Sequence, residues 1–125
     1  PGYATLNILC AEAPATSFVD SLLALDKPAA LRAAAGLTDR DHSAAITTLD
    51  QRLDLLAVLW RAVRAGQSAR DITGLPVFLI HQYLPIAKHY DPRRCLHSRQ
   101  VLAVVDDALR NGARTGIVEA LVALW

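Results

Sequence analysis

The chain has 125 residues, a formal charge of +1 and 53% apolar residues, mostly Ala, Leu and Val with few aromatics. That size and apolar share exclude a disordered chain and fit one domain around one hydrophobic core, rich in helix formers. The near-neutral balance excludes a global field that would steer the whole chain onto nucleic acid or an anionic membrane, so any such role has to be local.

In chain order, Leu6, Ile8 and Cys10 alternate with Asn7 and Leu9 in a pattern that leans to helix, and Pro14 breaks it. Ser17 to Leu25 forms two to three turns, capped by Thr16 or Ser17. Asp26-Lys27-Pro28 restarts a short helix with Pro28 in its first turn, through Leu31 to a stop at Gly36. Thr38 or Asp39 caps the clearest helix, in which Ile46, Leu49, Leu53, Leu56, Trp60 and Val63 recur at alternating steps of three and four. Asp50, Asp54, Arg61 and Arg64 share another of its faces, acids first and bases last, as the helix dipole favours. Gly66 ends it.

Gly74-Leu75-Pro76 opens the next helix, whose stripe is Val77, Ile80, Leu84 and Ala87; Pro85 is expected to kink or break it near Leu84. Asp91-Pro92, cap and first helical residue, starts a helix running to Asn111-Gly112, with Cys95, Leu102, Val105 and Leu109 as its apolar stripe. Thr115 is expected to cap the last one. No segment combines period-two alternation with β-branched enrichment. The expectation is an all-α fold of about seven helices in a single domain spanning 1–125.

The chain holds no Met and ends inside the apolar run from Ile117 to Trp125. It is therefore expected to be a piece of a larger protein; its apolar C-terminal helix needs a neighbour to cover it, from the rest of this chain or from the continuation, and where exposed it docks on the next part of the parent chain or mediates self-association. The apolar runs are shorter than the roughly 20 residues of a membrane-spanning helix, and no basic-then-apolar signal segment opens the chain. Cys10 and Cys95 are too few for a disulfide framework and read as reduced thiols in the cytoplasm or another reducing intracellular compartment.

Residues Ala57 to Gly66 align with Ala103 to Gly112; five of the aligned positions are identical, and each block is followed by Thr-Gly and an apolar helix. The unit is helix, glycine, short loop, helix, at a period of about 42 to 46 residues, and over residues 57–125 it resembles the armadillo and HEAT class of helical repeats. "RTGIVEALVALW" is similar to the start of an armadillo third helix. The resemblance implies a right-handed solenoid fragment, the alternative being a compact multi-helix bundle. It also implies protein binding along a groove lined by residues 75–84 and 116–125. The groove-facing Asn of the nuclear-import armadillo proteins has no obvious counterpart here.

Residues 81–99, "HQYLPIAKHYDPRRCLHSR", concentrate the chemistry. Zinc would need four N or S donors in close pairs, and the single near pair, Cys95 and His97, points in different directions on a helix. Cys95 with His89 or His97 and Asp91 has the members of a nucleophilic set, but no glycine elbow surrounds the cysteine. Pro1 resembles the catalytic amine of the tautomerase family, which requires strands that this sequence lacks. No catalytic residue, metal or cofactor is therefore expected. Charge is more informative: Lys88, Arg93, Arg94 and Arg99 stand against Asp91 alone. Arg93 and Arg94 occupy a first helical turn, where cations cost about 0.3–1 kcal/mol each. With His81, His89 and His97, and with Tyr83 and Tyr90 nearby, they form a candidate patch for a carboxylate or a phosphate. The alternative is a solvated loop whose arginines pair with Asp91 or Asp107. The leading expectation is a non-enzymatic protein-interaction domain using this patch and the helix that begins near Leu75; the second is a phosphate-bearing ligand, nucleic acid or an anionic lipid headgroup.

Overall fold

The computed structural model describes residues 15–72, 74–113 and 115–125, and every regular element in that span is helical. The elements are α1 (15–23), α2 (Lys27–Ala34), α3 (Asp39–Arg64), a 3-10 turn (Ala69–Asp71), α4 (Val77–Ala87), α5 (Pro92–Arg110) and α6 (Ile117–Leu124). The expectations for Pro1, for the segment around Leu6, Ile8 and Cys10, and for Pro14 fall outside the described residues, as do those for Thr73 and Arg114.

The helix starts follow from local chemistry. The Asp26 carboxylate accepts from the amide of Ala29 at 3.2 Å, with Pro28 in the first turn of α2. Ahead of α3 the roles are reversed: the amide and hydroxyl of Thr38 both donate to Asp41 Oδ2, at 2.9 and 3.0 Å. Asp91 Oδ1 accepts from the amide of Arg94 at 2.9 Å and so caps α5 at the position the Asp-Pro pair predicts. Before α6 the capping residue is Gly116, at φ 74°, rather than Thr115. Pro85 does not break α4, which runs through it and ends two residues later at Ala87. So near the C-terminus, the missing amide costs one bond to the carbonyl of the exposed His81.

Three helices end alike. Gly66 donates to the carbonyl of Val63 and Gln67 to that of Ala62, while Gly112 donates to Leu109 and Ala113 to Ala108; each pair of bonds is a Schellman motif around a left-handed residue. Leu25, at φ 64°, closes α1 in the same way, its amide donating to Leu22 and that of Asp26 to Ser21. Leucine thus occupies in this turn the left-handed position where the other two carry glycine. Each of the three turns is followed by a shorter helix: α2, α4 or α6.

The fold divides into two compact units. The first comprises the chain up to Leu49 together with Val101–Trp125. Its core includes Phe18, Leu22, Leu23, Ile46, Leu49, Leu102 and Val105, and α2 packs on α6. The apolar face of α6, expected to need a neighbour, is covered within the chain: Ile117, Val118, Leu121, Val122 and Trp125 are all buried. Four apolar side chains and a terminal indole on one helical face leave water most favourably against the core already at hand.

The second unit, Asp50–Gln100, is built from the rest of α3, the 3-10 turn, α4 and the start of α5. Leu53, Leu56, Leu59, Ile80, Tyr83, Ala87, Tyr90 and Cys95 are its core. Val63, expected in the α3 stripe, is 41% exposed, and Leu55, Leu59 and Ala62 are buried in its stead. Between Leu55 and Val63 the helix is apolar on nearly every side, so periodicity alone does not choose the covered row. Val77, assigned to the α4 stripe, likewise lies outward, and Tyr83 is buried beside Ile80 and Ala87.

Candidate functional site

The basic stretch joins α4 to α5 within the second unit. His81, Lys88, His89, Arg93 and His97 are exposed; Arg94 and Arg99 are half-buried. Lys88 and His89 lie on the short connection, Arg93 and Arg94 in the first turn of α5, His81 on the outward side of α4 and His97 on that of α5. Two members expected to enrich the surface do not reach it. Tyr90 is fully buried, and Tyr83 is buried with its hydroxyl accepting from Arg52 Nε at 3.2 Å, the guanidinium 5.6 Å from the ring centroid.

Arg99 reaches toward α3 while staying partly exposed. Its Nη1 donates to Asp50 Oδ1 at 2.6 Å and its Nη2 to Asp54 Oδ1. One cation is thus shared by two carboxylates a helical turn apart, and neither Asp91 nor Asp107 is the partner that sequence order suggests. Arg99 no longer adds to the outward charge, which is carried by Lys88 and Arg93, with Arg94 behind them.

Cys95 is buried and its thiol donates to the carbonyl of Tyr90 at 3.4 Å. Burial pushes the thiol upward, outweighing the opposing pull of the Arg99 and Arg61 charges, so it stays protonated at neutral pH. Asp91, the acid of the nucleophilic set written from the sequence, holds the first turn of α5. Among the described residues no three His, Cys, Asp or Glu side chains come together as metal ligands, and no helix is long and apolar enough to cross a membrane.

The surface adds apolar groups, among them Val77, expected in the apolar stripe of α4. Val77 and Phe78, the first residues of α4, are 66% and 68% exposed, and Leu96 on α5 is 60% exposed. Helical spacing continues the outward side of α4 through His81, Gln82 and Pro85 to Lys88. Beneath the α4–α5 junction a cleft of about 120 Å³ is lined by Ala57, Trp60, Arg61, Tyr90, Pro92 and Cys95.

No family model, curated protein or solved structure matches the chain.

Proposed function

We propose that the chain is a non-enzymatic protein-interaction module, binding its partner through the outward side of α4 and the basic residues of the α4–α5 junction. The observation that carries this reading is the exposure of Val77 and Phe78 on the helix that leads into Lys88, His89 and Arg93. Large apolar side chains held in water at the start of a helix whose far end leads into basic residues supply the anchors and the polar rim of a protein-binding surface. The three helix pairs closed by Leu25, Gly66 and Gly112 support, in local order, a helical-repeat scaffold of the armadillo or HEAT kind for this role.

A phosphate ligand is the second reading, and one observation weighs against it. At the N-terminus of α5 the Arg94 amide, which an anion would use, already donates to the Asp91 carboxylate, and that carboxylate would repel a phosphate.

The test is a salt-titrated pull-down from lysate with the wild-type chain and with Arg93→Glu/Arg94→Glu. A protein retained at high salt and lost with the variant supports the interaction module. Recovery of nucleic acid or lipid alone, released by salt, turns the function to phosphate binding. Equal capture by both chains removes the basic residues from the site.

A further inference from the structure

The cleft under the α4–α5 junction combines three properties that the surface around it does not. Its lining is almost wholly apolar, with buried Tyr90 and Cys95 at the floor and half-exposed Trp60 at the wall. Its volume, about 120 Å³, is somewhat below that of the roughly 150 Å³ apolar cavity that accommodates benzene. That suits a branched aliphatic group of about four carbons and excludes an indole. Finally, its edge is cationic. Arg61 lines the cleft, is exposed, and has no ion pair with any carboxylate of the described residues; Arg64, one turn on, lies over the Trp60 ring at 5.6 Å. Arg93, also exposed, follows Pro92 in the chain.

A guanidinium that lines an apolar cleft and has no ion pair favours negative charge next to the group that fills it. Arg99, whose charge is met by Asp50 and Asp54, shows how this unit treats an arginine that serves the fold. Arg61 has no such partner, so its charge is available to a ligand.

We propose that this cleft seats the branched aliphatic side chain of an acidic partner segment, a Leu, Ile or Val flanked by Asp or Glu, with Arg61 meeting the flanking carboxylate. The inference rests on the protein-binding reading above and supplies its partner chemistry: the side chain anchors in the cleft, and the acidic flanks face Arg61, Arg64 and Arg93.

The probe is N-acetyl-Glu-Leu-Glu-amide, titrated into the whole ¹⁵N-labelled chain and followed at the backbone amides of residues 57–61 and 90–95 and at the Trp60 indole. A short segment of this kind binds with a Kd of about 1–10 mM, since few atoms are in contact. Replacing Leu by Gly in the probe is expected to weaken binding at least about fivefold, and Arg61→Gln about threefold. Ala57→Leu, which fills the cleft, is expected to abolish the shifts; Arg61→Gln, an exposed change, keeps the test decisive if that variant does not fold. No shift at these resonances up to about 20 mM peptide, or equal binding of N-acetyl-Lys-Leu-Lys-amide, overturns the proposal. If the peptide fails while Arg93→Glu/Arg94→Glu still abolishes partner capture, the cleft falls and the interaction module stands. If the peptide binds and the charge reversal changes nothing, the cleft stands and the contact surface moves to it.

Discussion

Arg99 on α5 and Asp50 on α3 meet at 2.6 Å, and the same guanidinium also reaches Asp54. Without it, two carboxylates four residues apart on one helical face would repel each other. All three side chains remain more than a third exposed, which keeps the contribution in the range of surface pairs. Arg99→Gln is expected to cost about 1 kcal/mol in urea unfolding at low salt, and clearly less at about 1 M salt, where screening removes most of an exposed interaction. A loss unchanged by salt would mean that Arg99 contributes through packing of its aliphatic stem.

Leu53 and Leu56 are fully buried in α3 whereas Val63, in the same apolar row of the sequence, is 41% exposed. Leu53→Ala and Leu56→Ala are each expected to cost about 2–5 kcal/mol by thermal or urea unfolding. Val63→Ala should stay within about 0.5 kcal/mol. A large loss at Val63 would show that this end of α3 is covered in solution.

Helix starts were the most legible feature of the sequence, because capping is local: Asp26-Lys27-Pro28 and Asp91-Pro92 act where they stand. Gly66 and Gly112 were legible as stops for the same reason. The turn at Leu25 was not, since nothing in a leucine announces a left-handed backbone. The candidate site was legible only as charge. That Arg99 would turn to Asp50, that Tyr83 and Tyr90 would be buried, and that Trp60, Tyr90 and Cys95 would border one cleft all depend on contacts between residues far apart in the chain. Spacing within a helix carries no such information.

The three Schellman turns differ in the residue at the left-handed position. At Gly66 and Gly112 an added Cβ would meet no atom within 4 Å, so the cost of alanine there is purely conformational. Gly66→Ala and Gly112→Ala are each expected to lower stability by about 1–2 kcal/mol. Leu25 already bears that strain, at φ 64°. Leu25→Gly is therefore expected to leave the melting temperature unchanged or raise it, the relief of strain offsetting the loss of a half-buried side chain. A marked drop in melting temperature would mean that the Leu25 side chain contributes more than its backbone costs.

Asp41 and Asp71 each accept from the amide and the hydroxyl of a residue three positions earlier, Thr38 and Ser68. In both, the backbone hydrogen bond, followed by the hydroxyl bond, holds the carboxyl below the ordinary aspartate range. A carboxyl with a depressed folded-state pKa contributes stability that is fully present above its unfolded value, near pH 4, and that disappears as pH falls through the folded value. The stability difference between the wild-type chain and Asp41→Asn/Asp71→Asn should hold constant from neutral pH down to about pH 5 and shrink below about pH 4. Urea midpoints across that range measure it. A difference that persists unchanged into strong acid would mean that the caps act through shape and neutral hydrogen bonding, with no role for the carboxylate charge.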